Sequence, residues 1–236
     1  MELYEKVKLI VDYLNNNKNA FSPSEKEVIF NHIGIFDTAM SIPSIVLQVY
    51  DELGLLPDDK NIYIKFIELL NSEFDIKNKN IVEVGGGCIP RLGKRIALMQ
   101  NRGTITVYDP NLYITNNEGK RIEDYKDFPN LKLVKRRFYP ISNVDDADII
   151  VGLMPCGAVE SITKSAIRHN KDFMVVMCDE CNPQELFDPI EEDADWKMQF
   201  IERLDKELEN SELGKLKVKY KSEIGNKFPI IYNSRG

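Results

Sequence analysis

The sequence predicts an α/β protein, with a mostly parallel sheet closed by an antiparallel hairpin and preceded by a helical region. Three observations carry this. Apolar residues recur at helical spacing over residues 1–75. Short apolar runs alternate with amphipathic stretches from residue 80 onward, the pattern of strand–helix–strand units. One of those runs leads straight into three consecutive glycines at 85–87.

Leu3, Val7, Ile10, Val11 and Leu14 form the apolar stripe of a first helix. Ser22-Pro23-Ser24-Glu25 is a capping box with proline at the first helical position, so a second helix starts there. Pro43 opens a third, which runs through Ile45, Val46, Val49 and Tyr50 to a stop at Gly54. A fourth runs from about Asp59 and carries Ile62, Ile64, Phe66, Ile67, Leu69 and Leu70. Past the polar junction 75–79, strands are predicted at 81–84, 104–108, 131–134, 148–153 and 173–178, with helices at 92–101, 159–169 and 196–209. Residues 215–224 and 229–233 read as a hairpin through Gly225-Asn226, which brings the sheet to seven strands. In its first arm Lys215, Lys217, Lys219 and Lys221 alternate with apolar residues, placing lysine on the wet face of an edge strand. The expected division is a helical lid or substrate region at 1–75 and a cofactor-binding region at 76–236.

The composition narrows the function. Hydrophobic residues make up 43% of the 236, enough for a packed core, and no run approaches the roughly 18 apolar residues of a membrane span. The N-terminus lacks the basic start and apolar block of a signal peptide, so a cytoplasmic protein is expected. A formal charge of −7 makes nucleic acid an unlikely partner, because gripping phosphates needs an excess of Lys and Arg. Local basic clusters such as Lys135-Arg136-Arg137 read as solvated surface. A small-molecule substrate is favoured.

The candidate site begins at Glu83-Val84-Gly85-Gly86-Gly87. Glycine at a strand end lets the chain turn sharply and lets a ligand approach the backbone. Asp109 ends the next strand, 22 residues after Gly87, the spacing of a carboxylate that accepts ribose hydroxyls. Pro90 stands where a dinucleotide fingerprint has its third glycine, which argues against that alternative.

On these residues, 80–233 resemble the class I S-adenosylmethionine-dependent methyltransferases, a Rossmann-like superfamily. There an acidic-x-G-x-G motif ends the first strand, an acidic residue ends the second, and an antiparallel hairpin closes the sheet. The resemblance implies S-adenosylmethionine as cofactor. It would lie against Glu83, Gly85, Gly86 and Gly87, with its ribose on Asp109, its adenine near Phe138, and Leu153, Met154 and Pro155 at the pocket edge. A weaker resemblance, to nicotianamine synthases, rests on Gly85 to Pro90, on Tyr108-Asp109 and on the helical N-terminus. It implies transfer of the cofactor's aminobutanoyl arm instead of its methyl.

The residues after the fourth strand, Leu153-Met154-Pro155-Cys156, lack the Asp/Asn-Pro-Pro-aromatic signature of amino methyltransferases that act on bases or glutamine. Pro155-Cys156 is similar to the nucleophile motif of cytosine-5 methyltransferases, but the chain has none of that family's other motifs. Cys88, Cys156, Cys178 and Cys181 all follow strand ends, and they read as small core residues, not a metal site. His32, Glu160, Asp179 and Glu180 are candidate bases among which the sequence does not choose, and His169 reads as the cation closing its helix. A non-catalytic module that keeps the cofactor fold is the competing class.

Overall fold

The structure is a computed structural model that describes residues 2–33, 44–55, 62–87, 90–100, 102–112, 128–177, 196–220 and 229–235. Four helices come first: α1 (Leu3–Asn16), α2 (Pro23–Asn31), α3 (Ser44–Glu52) and α4 (Ile62–Phe74). The α1 stripe buries Ile10 and Leu14, while Leu3 stands 57% exposed, so only its second half packs. At α2 the box predicted from sequence is made in full. Ser22 Oγ accepts the Glu25 amide at 3.2 Å, and Glu25 Oε2 accepts the Ser22 amide at 2.7 Å. Helix α3 ends ahead of Gly54, whose φ of +63° suits glycine. Helix α4 buries Ile62, Tyr63, Phe66, Ile67, Leu69 and Leu70, and its predicted start at Asp59 lies outside the described residues.

From residue 80 strands and helices alternate: β1 (Ile81–Val84), α5 (Arg91–Met99), β2 (Ile105–Tyr108), β3 (Leu131–Val134), β4 (Ile149–Leu153), α6 (Val159–His169), β5 (Asp172–Val176), α7 (Trp196–Glu209), β6 (Lys215–Tyr220) and β7 (Pro229–Ser234). They form one seven-stranded sheet in the order β3-β2-β1-β4-β5-β7-β6. The first five strands are parallel, β7 runs antiparallel to β5, and β6 antiparallel to β7. This is the Rossmann-like architecture expected from the sequence. The hairpin turn predicted at Gly225-Asn226 lies outside the described residues.

Period-two alternation sends successive side chains to opposite faces and so makes two cores. One face carries Ile81, Ile105, Val107, Ile149, Val151, Met174, Val176 and Ile230, in a single cluster with the buried residues of α1 to α5. The other carries Val82, Val84, Ile150, Phe173, Val175 and Ile231 against α6 and α7. No described helix is long and apolar enough to cross a membrane.

The lysine alternation on β6 is only partly a wet face. Lys215 and Lys217 are exposed, but Lys219 is ion-paired to Glu73 of α4 and lies over the Tyr232 ring, 5.3 Å from its centroid. Val218, expected to face inward, is 36% exposed. Lys219 thus reaches from the edge strand across to the end of α4.

Candidate functional site

Parallel pairing brings the carboxyl ends of β1, β2 and β4 side by side, and the cavity opens there. The pairs Val84↔Tyr108 and Glu83↔Val151 set the register. Past Val84 the chain turns with φ of +79° at Gly85 and +71° at Gly87, values that L side chains rarely adopt. Gly85 also has no room, since a Cβ there would lie 2.7 Å from Pro155 Cα. Gly93, in the first turn of α5, lets that helix close onto β1, and a Cβ there would sit 2.6 Å from Glu83 Oε2.

Asp109 holds this turn together. Its Oδ2 accepts the Gly87 amide at 2.9 Å and its Oδ1 accepts the Asn111 amide at 2.7 Å. Burial pushes its pKa up, while the two amides favour the charged form and pull the other way. Each carboxylate oxygen has a second lone pair, so the side chain keeps acceptor capacity for a ligand hydroxyl.

Glu83 lies deeper, 3% exposed, and its Oε2 has no hydrogen-bond partner. Burial drives its pKa up to about 8; the nearby Gly93 amide lowers it in part, and the Asp109 charge adds to the rise.

After β4 the chain takes two left-handed steps, with φ of +54° at Met154 and +48° at Cys156. Such backbone costs of order 1–3 kcal/mol per residue and clusters at functional sites. The Met154 amide, bonded to Val176 O at 3.0 Å, anchors the first step. This bend turns Cys156 outward. The cysteine predicted as a core residue is exposed at the cavity edge.

The resulting cavity has a volume of about 240 Å³. Its floor is Glu83, Gly85, Gly86, Gly87, Asp109 and Asn111, and one wall is Leu153, Met154, Pro155 and Cys156. Glu25 of α2, Ile45 of α3 and Tyr63 of α4 complete the lining among the described residues. The volume falls below the roughly 300–1,000 Å³ usual for drug-sized ligands, so a nucleoside cofactor extends beyond these residues or widens the space.

The structure thus brings together eight of the nine residues proposed from sequence as cofactor-binding. Phe138 is the exception. It is 6% exposed in the second core, packed edge-to-face on Tyr108 with ring centroids 5.3 Å apart. Among the candidate bases, Glu160 is buried in ion pairs with Arg203 at 2.9 Å and Lys164 at 3.2 Å, and serves to join α6 to α7. His32 caps α2 with Nδ1 2.7 Å from Val28 O and does not reach the cavity. His169 lies in the last turn of α6, as expected of a helix-closing cation, with Nδ1 3.2 Å from Asp145 Oδ1. Asp179, Glu180, Cys88, Cys178 and Cys181 lie outside the described residues. Among the described residues no His, Cys, Asp or Glu group is arranged to hold a metal ion. Sequence reading missed Glu25, Ile45, Tyr63 and Asn111. Only Glu25 carried a signal, and that signal was for capping.

No family model and no curated protein matches the chain. Solved structures similar to it include S-adenosylmethionine-dependent methyltransferases and a nicotianamine synthase. A mutant of the nicotianamine synthase MtNAS, in complex with S-adenosylmethionine, matches with a TM-score of 0.48 at 9% identity, over 99% of this chain and 77% of that one. An S-adenosylmethionine-dependent methyltransferase from Aquifex aeolicus matches with a TM-score of 0.42 at 13% identity, over 80% and 98%. A 16S rRNA adenine methyltransferase from Catenulisporales acidiphilia matches with a TM-score of 0.40 at 14% identity, over 71% and 92%.

Proposed function

We propose that this chain binds S-adenosylmethionine in the cavity at the ends of β1, β2 and β4 and transfers its methyl group to a small molecule. The observation that carries the proposal is the cavity's construction. A glycine turn without room for side chains and a buried strand-end carboxylate share one concavity, at the edge where open parallel sheets bind their ligands. The residues fit the cofactor. Asp109 has acceptor capacity for ribose hydroxyls, the bare backbone of 85–87 admits the methionine portion, and Glu83 offers a buried oxygen without a partner to a cationic group.

Bound there, S-adenosylmethionine supplies a methyl carbon activated by its positively charged sulfur. The protein's part is alignment. Leu153, Met154 and Pro155 form an apolar stretch of the lining, and Glu25, Ile45 and Tyr63 of the N-terminal helices belong to the same lining. Holding donor and acceptor in line supplies much of the rate in such displacements without a general base. A wall built by the N-terminal helices and a net charge of −7 both favour a small acceptor over a nucleic acid.

The test is to incubate the protein with S-adenosylmethionine and a metabolite pool and identify the nucleoside product by mass spectrometry. S-adenosylhomocysteine is expected. Methylthioadenosine as the main enzyme-dependent product would transfer the assignment to aminobutanoyl transfer. Tight binding with neither product would make the chain a non-catalytic binding module, and absence of binding would end the cofactor reading.

A further inference from the structure

Glu83 and Asp109 stand at the ends of neighbouring parallel strands and line one cavity, yet the fold provides for them unequally. Asp109 accepts two backbone amides, from Gly87 at 2.9 Å and from Asn111 at 2.7 Å, and amides aimed at a carboxyl favour its charged form. Glu83 is 3% exposed, and its Oε2 has no hydrogen-bond partner. Two glycines close in on it: a Cβ at Gly86 would lie 3.3 Å from its Oε1, and one at Gly93 would lie 2.6 Å from its Oε2. A buried carboxyl with an oxygen left over keeps its proton more cheaply than it bears a charge.

The groups on the surrounding elements bear this out. Asp109 of the β2 end adds its negative charge to the effect of burial, and together they hold Glu83 near pKa 8 against the pull of the Gly93 amide. On α5, Arg91 is ion-paired to Glu52, Arg95 to Asp51, and Lys94 lies over the Phe128 ring. Glu25 of α2, Tyr63 of α4 and Cys156 past β4 are the other titratable groups of the lining among the described residues. Of the two strand-end carboxyls, Glu83 is thus the one that carries a proton at neutral pH.

We infer that cofactor binding expels this proton: the protonated amino group of S-adenosylmethionine settles against Glu83, the carboxyl ionises, and affinity for the cofactor rises with pH. This rests on the cofactor reading above. A neutral carboxyl and an ammonium become a carboxylate–ammonium pair, and one proton goes to solvent. Where the free protein holds the proton and the complex does not, each pH unit upward strengthens binding by up to about tenfold. A ligand that lacks the amino acid end gains nothing from the exchange. Glu83 therefore makes the preference for the whole cofactor over its nucleoside part depend on pH.

The test is calorimetry with S-adenosylhomocysteine, which keeps the amino group, between about pH 6 and pH 7, where that group is itself protonated. Buffers of different ionisation heat count the protons released. Close to one proton per molecule bound is expected, with Kd falling by about five- to tenfold over the pH unit. Methylthioadenosine, which has the nucleoside without the amino acid, should release none. Glu83→Gln should abolish the release and flatten the pH dependence. Should that variant fail to fold or to bind, infrared difference spectroscopy on the natural protein reads the same event, as loss of a protonated-carboxyl band when S-adenosylhomocysteine binds. Heats that do not depend on the buffer, equal release with methylthioadenosine, release that persists in Glu83→Gln, or an unchanged carboxyl band overturns the inference and leaves the cofactor reading standing. Failure of S-adenosylhomocysteine to bind at any of these pH values overturns the cofactor reading itself.

Discussion

Replacing Glu83 with glutamine should make the protein more stable at neutral and mildly alkaline pH. The Glu83 carboxyl is held near pKa 8 in the folded chain against an ordinary value of 4.5. Between those two values the folded state keeps the proton that the unfolded state has released. Folded molecules then bind more protons than unfolded ones, and stability falls as pH rises through the window. The slope is about 1.4 kcal/mol per pH unit, which accumulates to roughly 3 kcal/mol by pH 7 and levels off above pH 8. Glutamine has nearly the same shape and no charge to bury, so this contribution vanishes in Glu83→Gln. Asp109, whose pKa is also raised, changes stability in the same direction but is present in both proteins. The difference between them therefore reports Glu83 together with its charge coupling to Asp109. Urea unfolding followed by the fluorescence of Trp196 and by circular dichroism, from about pH 5 to pH 8.5, measures it. The two stability curves should diverge steadily across that range. Curves that run parallel would refute the reasoning, because they would mean that Glu83 is ionised in the folded protein at low pH as well.

Asp109→Ala should weaken S-adenosylmethionine binding by on the order of 1–3 kcal/mol for each hydroxyl bond lost, and should also lower the melting temperature because the Gly87 and Asn111 amides lose their acceptor. Unchanged calorimetric affinity would remove Asp109 from the binding site. Gly85→Ala combines a left-handed φ with a Cβ 2.7 Å from Pro155 Cα, and should cost about 1–3 kcal/mol in denaturant unfolding while also weakening cofactor binding; a neutral result would show that β1 and β4 can separate at their ends.

The sheet was legible because its signals are local. Strand β1 falls at 81–84 as read, since an apolar run bounded by a polar junction and by glycines has only one place to stop. Helix α7 falls at 196–209, where the apolar spacing begins and ends. Glu83, the glycines and Asp109 converge because parallel pairing in register leaves strand-end residues no other place. What sequence could not show depends on packing between distant segments. Nothing local says that Tyr63 borders the cavity while Phe66, one turn later, is fully buried in the core. The family resemblance implies Phe138 near adenine, and no local pattern announces that it packs on Tyr108 in the second core. Cys156 was misjudged for the converse reason, its exposure being set by a backbone turn. The ion pair of Lys219 joins it to a residue 146 positions away, which no local pattern announces.

The cluster that joins the first four helices to one face of the sheet bears on how this chain can be cut or recombined. Removing the N-terminal segment would lay bare a row of aliphatic side chains from Ile81, Ile105, Ile149 and Ile230, the kind of surface that recruits other chains. The sheet-forming segment that begins at β1 is therefore not a portable module. A chimera that grafts it behind a different leader must bring a matching apolar face, or precipitate. For the same reason, if the proposed transferase activity holds, a new acceptor specificity is more safely sought by changing side chains on the helices already present than by exchanging the helices themselves.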